Sequence, residues 1–379
     1  MNSVLIFRHQ LFKVSEPFIT QQAEQLTQFR PIYLGRSRFG NPPEGARSFA
    51  LEDAEKQRSL SRRLWQVITR DPRPYMDLLS GQRPALIHAH FGVEGVYALP
   101  LARKLKVPLV TTFHGFDATT TTRALLSSGS PSWINYARFR EQLAEEGDLF
   151  LCVSDYIRQR VIELGFPEER THAHYIGIDT QAILQRNPNE ERLVVLHVAR
   201  LVKKKGTEYL IRAFAQIAAQ IPSAELVIVG EGPLRASLEM LARSLRIEQR
   251  TRFLGAQPHA EVISLMRKAA MLVLPSVTAP SGDSEGLGMV LLEASARGVP
   301  LIGTSHGGIP EAIEDAKTGY LVPEHDVNLL GDRIAGLLSD DRLRHHMGRE
   351  ARMLVESRFD IRKQTLLLES FYKRCLHEK

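Results

Sequence analysis

The sequence has little cysteine: two in 379 residues, Cys152 and Cys375. So far apart, they make neither a metal motif nor a disulfide framework, and a reducing, cytoplasmic compartment fits. Long hydrophobic runs are missing too. No uncharged apolar stretch reaches the roughly 20 residues that a membrane-spanning helix needs. Met1 to Phe7 is apolar but short, and Arg8 cuts it off. It is expected to be a first strand rather than a signal peptide. No aromatic-plus-basic module of the RNA-binding kind is present, so nucleic acid is not expected as a partner. Low complexity is absent, and 43% hydrophobic with 24% charged residues is the composition of a soluble globular protein. What is present in surplus is positive charge, formally +6. That balance suits phosphorylated ligands or an anionic membrane surface.

The length exceeds one ordinary core and suits two domains. Buried strands are expected at 4–7, 32–34, 86–89, 108–112 and 149–153, with a short one at 174–176. Helices alternate with them at 17–28, 94–105, 133–146 and 155–164, and 51–79 is helical and basic. Pro17 suits a first helical position, and Ser15 is the natural cap. Residues 118–131 are rich in Thr, Ser and Gly and read as a mobile loop. The polar stretch from Gln185 to Glu190 carries a proline and has no period, which marks a linker. The rhythm restarts with strands at 193–198, 226–229, 271–274 and 300–303. Helices follow at 207–220, 233–245, 258–268, 327–339 and 341–356. This alternation predicts an α/β fold of two Rossmann-like domains, with ligand in a cleft at the carboxyl ends of the strands. The expected division is 1–184, linker 185–191, 192–358, and a helix at 359–379 crossing back to the first domain.

The chain is organised around Ser284-Glu285-Gly286-Leu287-Gly288-Met289-Val290-Leu291-Leu292-Glu293. A loop becoming a helix near Gly288 or Met289 is expected, with Glu285 on the loop and Glu293 just over a turn in. Free N–H groups at such a helix start suit an electron-rich oxygen. A carboxylate on each side could hold the hydroxyls of a sugar or ribose. Taken alone, a helix start with surface acids is an equal reading.

Arg200 and Lys205 follow the first strand of the second half. Two fixed cations at a strand end would stabilise the charge that grows on a diphosphate leaving group. Lys203 and Lys204 read as a solvated basic turn. Gly230-Glu231-Gly232-Pro233 reads as a tight turn under a nucleotide or as an ordinary strand-to-helix turn; it is no GxGxxG fingerprint. Gly307-Gly308-Ile309-Pro310-Glu311 is a second glycine turn placed to buttress the Glu285 loop. In the first half His114 ends a strand, where it could donate to a transferred sugar or bind an acceptor. His88 and His90 share a strand face but lack an evident third metal ligand. A structural role is expected for His88 and cleft lining for His90.

Together these motifs, with His114-Gly115-Phe116-Asp117 and Gly177-Ile178-Asp179, resemble the retaining, two-domain GT-B glycosyltransferases of glycosyltransferase family 4. The resemblance covers nearly the whole chain and is stronger in the second half. It implies that Arg200 and Lys205 hold the donor diphosphate and that Glu293 holds the ribose hydroxyls. Glu285 would contact the transferred sugar, with Gly286, Leu287 and Gly288 beside it, Gly232 under the nucleotide and His114 near the reacting carbon. The donor would be a UDP- or GDP-sugar. No metal and no cofactor are expected, in keeping with the missing Asp-x-Asp. Retention would follow a front-face route or a double displacement.

The loop after the first strand departs from the family's glycine-rich form. Gln10 to Ile19, with Ser15-Glu16-Pro17-Phe18-Ile19, is similar to the opening of bacterial exopolysaccharide glycosyltransferases of the colanic-acid and amylovoran type. That likeness makes Ser15 and Glu16, with His90 and Asp117, acceptor-side candidates, and it implies a glycan or lipid-linked oligosaccharide acceptor. Leu60, Leu64, Val67 and Ile68 share a helix face that Trp65 flanks, with Lys56, Arg58, Arg62, Arg63 and Arg70 around the rest. Such a helix either lies on an anionic membrane or docks on the sheet as a solvated surface helix. The competing functions are a GT-B nucleotide-sugar 2-epimerase or phosphorylase, and an inactive GT-B subunit that only binds.

Overall fold

The computed structural model describes residues 2–53, 56–187 and 190–377, with only the backbone course at 56–59. Buried apolar runs make its strands and amphipathic stretches its helices. In the first half these are β1 (Asn2–Phe7), β2 (Gln10–Leu11), α1 (Pro17–Glu24), β3 (Phe29–Gly35), β4 (Ser37–Arg38) and β5 (Arg47–Ala50). There follow α2 (Lys56–Thr69), α3 (Arg73–Leu78), β6 (Leu86–His90), α4 (Gly92–Leu105), β7 (Leu109–Phe113), α5 (Phe116–Thr119) and α6 (Thr122–Leu126). Then come α7 (Pro131–Glu146), β8 (Leu149–Cys152), α8 (Asp155–Glu163) and β9 (Thr171–Ala173). The second half holds β10 (Val194–Val198), α9 (Thr207–Ala218), β11 (Glu225–Val229), α10 (Arg235–Ser244), β12 (Thr251–Gly255), α11 (His259–Lys268) and β13 (Met271–Leu274). It continues with α12 (Met289–Ala296), β14 (Leu301–Thr304), α13 (Ile309–Ala312), β15 (Gly319–Val322), α14 (Val327–Ser339) and α15 (Asp341–Arg358), and α16 (Ile361–His377) ends the chain.

Two compact units result: residues 1–177 with 361–379, and 178–360. The first contains a seven-stranded sheet, β5-β3-β1-β6-β7-β8-β9, and the second a six-stranded one, β12-β11-β10-β13-β14-β15. Neighbouring strands run parallel in both. In each sheet the first strand stands between the second and the fourth. That is the doubly wound Rossmann order, and ligands sit where the strand order reverses, at the strands' carboxyl ends. The relevant loops therefore follow β1 and β6 in one unit, and β10 and β13 in the other.

Helix α16 belongs to the first unit. Leu368, Phe371 and Tyr372 are buried in its core, each contributing roughly 1.5–3 kcal/mol. The buried Glu369 carboxylate accepts from the Thr27 N–H (2.7 Å), the Thr27 hydroxyl (2.9 Å) and the Gln28 N–H (2.6 Å).

Several expectations are corrected. The units part at Gly177 and Ile178, not within 185–191. The expected linker is packed onto the second unit: Arg186 is 5% exposed, pairs with Glu191 and donates to the Ala269 carbonyl. Residues 188 and 189 of that linker lie outside the described ones. Ser15 does not cap α1; Glu16 holds the cap position and no side chain bonds there. The expected loop at 118–131 takes in the end of α5 and the whole of α6, the latter capped by the Thr121 hydroxyl. The strand expected at 174–176 is β9, which ends at Ala173. The edge strands β5 and β15 were not anticipated, because short, half-exposed strands carry little apolar pattern.

Candidate functional site

In the second unit, the loop after β10 is bound to the loop after β13. Gly206 has φ +62°, and a Cβ there would lie 1.8 Å from the Pro275 carbonyl oxygen. Only glycine allows that approach. The Val277 N–H donates to the Lys204 carbonyl at 2.7 Å and closes the contact. Lys205 thereby reaches Glu285, with Nζ 2.5 Å from Oε2, the two side chains 15% and 12% exposed. The Ser276 hydroxyl donates to the same oxygen at 3.3 Å. Burial alone would push the Glu285 carboxyl up. The charges of Lys205 and Lys204 and the bonds from Lys205 and Ser276 outweigh burial and hold it at about 2.

Lys204 is no solvated turn residue. It is 9% exposed, and its ammonium donates to Asp283 (2.8 Å) and to the Ser284 carbonyl (3.3 Å). It thus fixes the stretch that leads into Glu285. Arg200, on the same loop, is exposed. As expected, the loop becomes a helix at Met289, with Gly288 at the cap. Glu293, on the second turn of α12, accepts from His259 Nε2 at 3.0 Å. That bond raises the histidine's pKa against the lowering effect of burial. The Gly308 N–H donates to the Glu285 carbonyl at 3.0 Å, so the 307–311 turn does buttress this loop.

The glycines at 230 and 232 have a structural cause. A Cβ at Gly230 would lie 1.9 Å from the Ala199 carbonyl oxygen, and one at Gly232 would lie 2.4 Å from that of Leu201. Their small size lets this turn press against the loop carrying Arg200, whether or not a nucleotide lies above it.

In the first unit, Arg8 leaves the end of β1 and grips both oxygens of Glu16, at 2.8 and 3.0 Å. Its remaining nitrogen donates to the buried Glu94 at the start of α4. Glu16 is therefore the counter-ion of Arg8. Ser15 stands exposed next to it. His90 is 2% exposed and does not line a surface. It lies behind His114, with Nδ1 3.2 Å from His114 Nε2. Phe91 and Phe18 flank the His114 ring, with centroids at 4.3 and 5.2 Å. Burial, joined by the charge of Arg8, holds His114 well below its ordinary pKa, so the ring is neutral near pH 7. Asp117 is also not a lining group. It is 1% exposed, and its carboxylate accepts the N–H groups of Gly92 (2.8 Å), His114 (3.0 Å) and Gly115 (2.9 Å). It shapes the turn that presents His114. His88 is structural, with one ring nitrogen on the Tyr372 hydroxyl (2.6 Å) and the other on that of Thr112 (2.7 Å). Among the described residues no group of three or more His, Cys, Asp or Glu is placed to hold a metal ion.

Sequence reasoning missed Lys204, His259 and Arg8. Lys204 was hidden in a charge run. His259 carried no signal beyond opening an expected helix. Arg8, the first charge after β1, was legible as a strand-end cation.

The face of α2 that carries Leu60, Leu64 and Ile68 does not dock on the sheet. These three are 55%, 54% and 67% exposed and Trp65 is 52% exposed, while the polar Gln66 is fully buried against Arg36. The side chains of Lys56 and Arg58 lie outside the described residues. No helix among the described residues is long and apolar enough to cross a membrane.

Comparison with known proteins gives two family matches: glycosyl transferases group 1 over residues 179–353, and glycosyltransferase family 4 over residues 33–182. A putative colanic acid biosynthesis glycosyltransferase, WcaL of Escherichia coli (strain K12), is 36% identical over 279 residues, 72% of this chain and 66% of that protein. The chain thus spans just under two thirds of that relative's length. The N-acetyl-alpha-D-glucosaminyl L-malate synthase of Bacillus anthracis is 31% identical over 305 residues, 77% of this chain and 75% of that one. Among solved structures, Anabaena Alr3699/HepE in complex with UDP and glucose superposes with a TM-score of 0.76 over 99% of this chain and 100% of its own, at 19% identity.

Proposed function

Since this chain belongs to the glycosyltransferases of group 1 and family 4, we propose that it moves a sugar from a nucleoside-diphosphate sugar to a glycan or lipid-linked acceptor, with retention of anomeric configuration, in polysaccharide assembly. The observation that carries this reading is the Lys205–Glu285 pair at the strand-order reversal of the second sheet, with Arg200 exposed on the same loop after β10. Lys205 and Arg200 would neutralise the diphosphate as the glycosidic bond breaks. Glu285 would then accept hydroxyls of the transferred sugar. Glu293 is assigned to the ribose hydroxyls, which would exchange for its bond to His259. On the first unit His114 is assigned to the transferred sugar, where a neutral ring adds no charge.

The reading is supported by a relative named as a putative colanic acid biosynthesis glycosyltransferase and by a fold neighbour in complex with UDP and glucose. We assign the charge neutralisation to these side chains, with no resident cofactor and no required metal. We place the protein in the cytoplasm, at the inner face of the membrane. There the exposed Leu60, Leu64, Trp65 and Ile68 would enter the interface, near a lipid-linked acceptor.

The test is transfer from UDP- and GDP-sugars. Glu285→Ala and Lys205→Ala should each remove most of it, and EDTA should not. Full transfer in Lys205→Ala would refute the assigned role. Label moving within the donor without acceptor, or a dependence on phosphate, would point to an epimerase or a phosphorylase instead.

A further inference from the structure

Glu285 is held by its backbone as well as by its carboxylate. Its N–H donates to His306 Nε2 at 3.1 Å, while its carbonyl accepts from the Gly308 N–H at 3.0 Å. An amide N–H can only donate, so His306 Nε2 carries the lone pair and the ring proton sits on Nδ1. Nδ1 lies 2.8 Å from Glu324 Oε1 and donates to it. Glu324 is fixed in turn, because its carboxylate accepts the Thr278 N–H at 2.8 Å and the Thr278 hydroxyl at 3.3 Å. His306 is 3% exposed, so water does not replace these bonds readily. The relay runs Thr278, Glu324, His306, Glu285. It joins the loop after β13, the end of β15 and the turn after β14 to one peptide group.

We propose that His306, set in its Nδ1–H tautomer by Glu324, is a positioning residue that fixes the Glu285 peptide and so aims the Glu285 carboxylate at the transferred sugar. The second part rests on the donor reading given above; the first does not. The relay has a directional requirement. The imidazole must present an acceptor to Glu285 and a donor to Glu324, and a side chain with a polar group at the wrong distance does only one of these. A space-filling core histidine would have no such requirement.

The experiment compares His306→Gln with His306→Asn. Gln carries an acceptor near the ε position and can still receive the Glu285 N–H. Asn carries polar atoms at the δ position and reaches Glu324 but not Glu285. Hydrogen exchange of the Glu285 amide in the ligand-free protein should remain slow in the Gln variant. In the Asn variant it should rise roughly tenfold, the equivalent of about one hydrogen bond. Equal exchange in both variants and wild type overturns the proposal, as does greater protection with Asn. Affinities for UDP, UDP-glucose, GDP and GDP-mannose supply the second readout. The Asn variant should bind the bare diphosphates as wild type does but lose the gain from the attached sugar, and the Gln variant should recover that gain. Equal loss for the diphosphates and their sugars contradicts the aiming role. If wild type binds none of the four, the donor reading falls, and amide exchange still decides whether His306 holds Glu285.

Discussion

Replacing Lys205 by alanine isolates the energy of its pair with Glu285. In the folded protein the Glu285 carboxyl lies at about 2, against an ordinary 4.5. A displacement of that size corresponds to about 3 kcal/mol in favour of the charged form. The displacement is net of the opposing effect of burial, and Lys205 leads the favourable causes, ahead of Lys204 and Ser276, so its removal is expected to cost about 2 kcal/mol or more. Removing the lysine leaves a nearly buried carboxylate without its main partner, which costs more than the loss of a surface pair. For a domain of this size about 2 kcal/mol lowers Tm by about 4–8 °C. The sign follows from the lowered pKa. The stabilisation is complete above pH 4.5 and fades as pH falls toward 2, so the gap between wild type and Lys205→Ala should close over that range. Glu285→Gln should lose comparable stability at neutral pH. The double variant should recover about 1–2 kcal/mol relative to the sum of the singles, since no orphan charge remains. Urea unfolding of the four proteins at several pH values measures all of this. Additivity within about 0.5 kcal/mol, or a gap that does not change with pH, would refute the reasoning.

Other outcomes follow from the same geometry. Gly230→Ala should destabilise the second unit by about 2 kcal/mol or more, because its Cβ would meet the Ala199 carbonyl oxygen at 1.9 Å; unchanged thermal unfolding would count against that packing. Tyr372→Phe removes the hydroxyl bonded to the buried His88 and should cost about 1–2 kcal/mol in urea unfolding, with α16 exchanging faster. Glu293→Gln should weaken UDP binding several-fold in calorimetry, while 2′,3′-dideoxy-UDP, which lacks the ribose hydroxyls, should bind both proteins alike. Leu64→Glu with Ile68→Glu should abolish flotation with anionic vesicles and leave donor binding unchanged; equal flotation with neutral and anionic vesicles would remove the case for a charged surface.

Long buried strands and the loop-to-helix start at Met289 were legible because each writes a local pattern of apolar runs, glycines and helix formers. The two Rossmann-like domains were legible from the alternation of strands and helices. The carboxylate pair was legible for the same local reason, and Lys205 because it follows a strand. What escaped was interaction across sequence. Glu324 stands far from Glu285 along the chain, and no periodicity links Thr278, Glu324 and His306. Asp117 and His90 looked like lining because their types and strand-end positions suit a site. Neither signal tells whether a carboxylate turns outward or caps three backbone N–H groups. Lys204 shows the converse, since one lysine in a charge run is folded inward by Asp283 while a solvated turn is the usual outcome.

The most direct test of the central claim is proton NMR of a panel of UDP- and GDP-sugars incubated with the protein and a lipid-linked oligosaccharide acceptor. The account predicts that one donor is consumed, that the new glycosidic linkage keeps its anomeric configuration, and that Lys205→Ala and Glu285→Ala each suppress the reaction. An inverted product, or undiminished turnover in both variants, would contradict it.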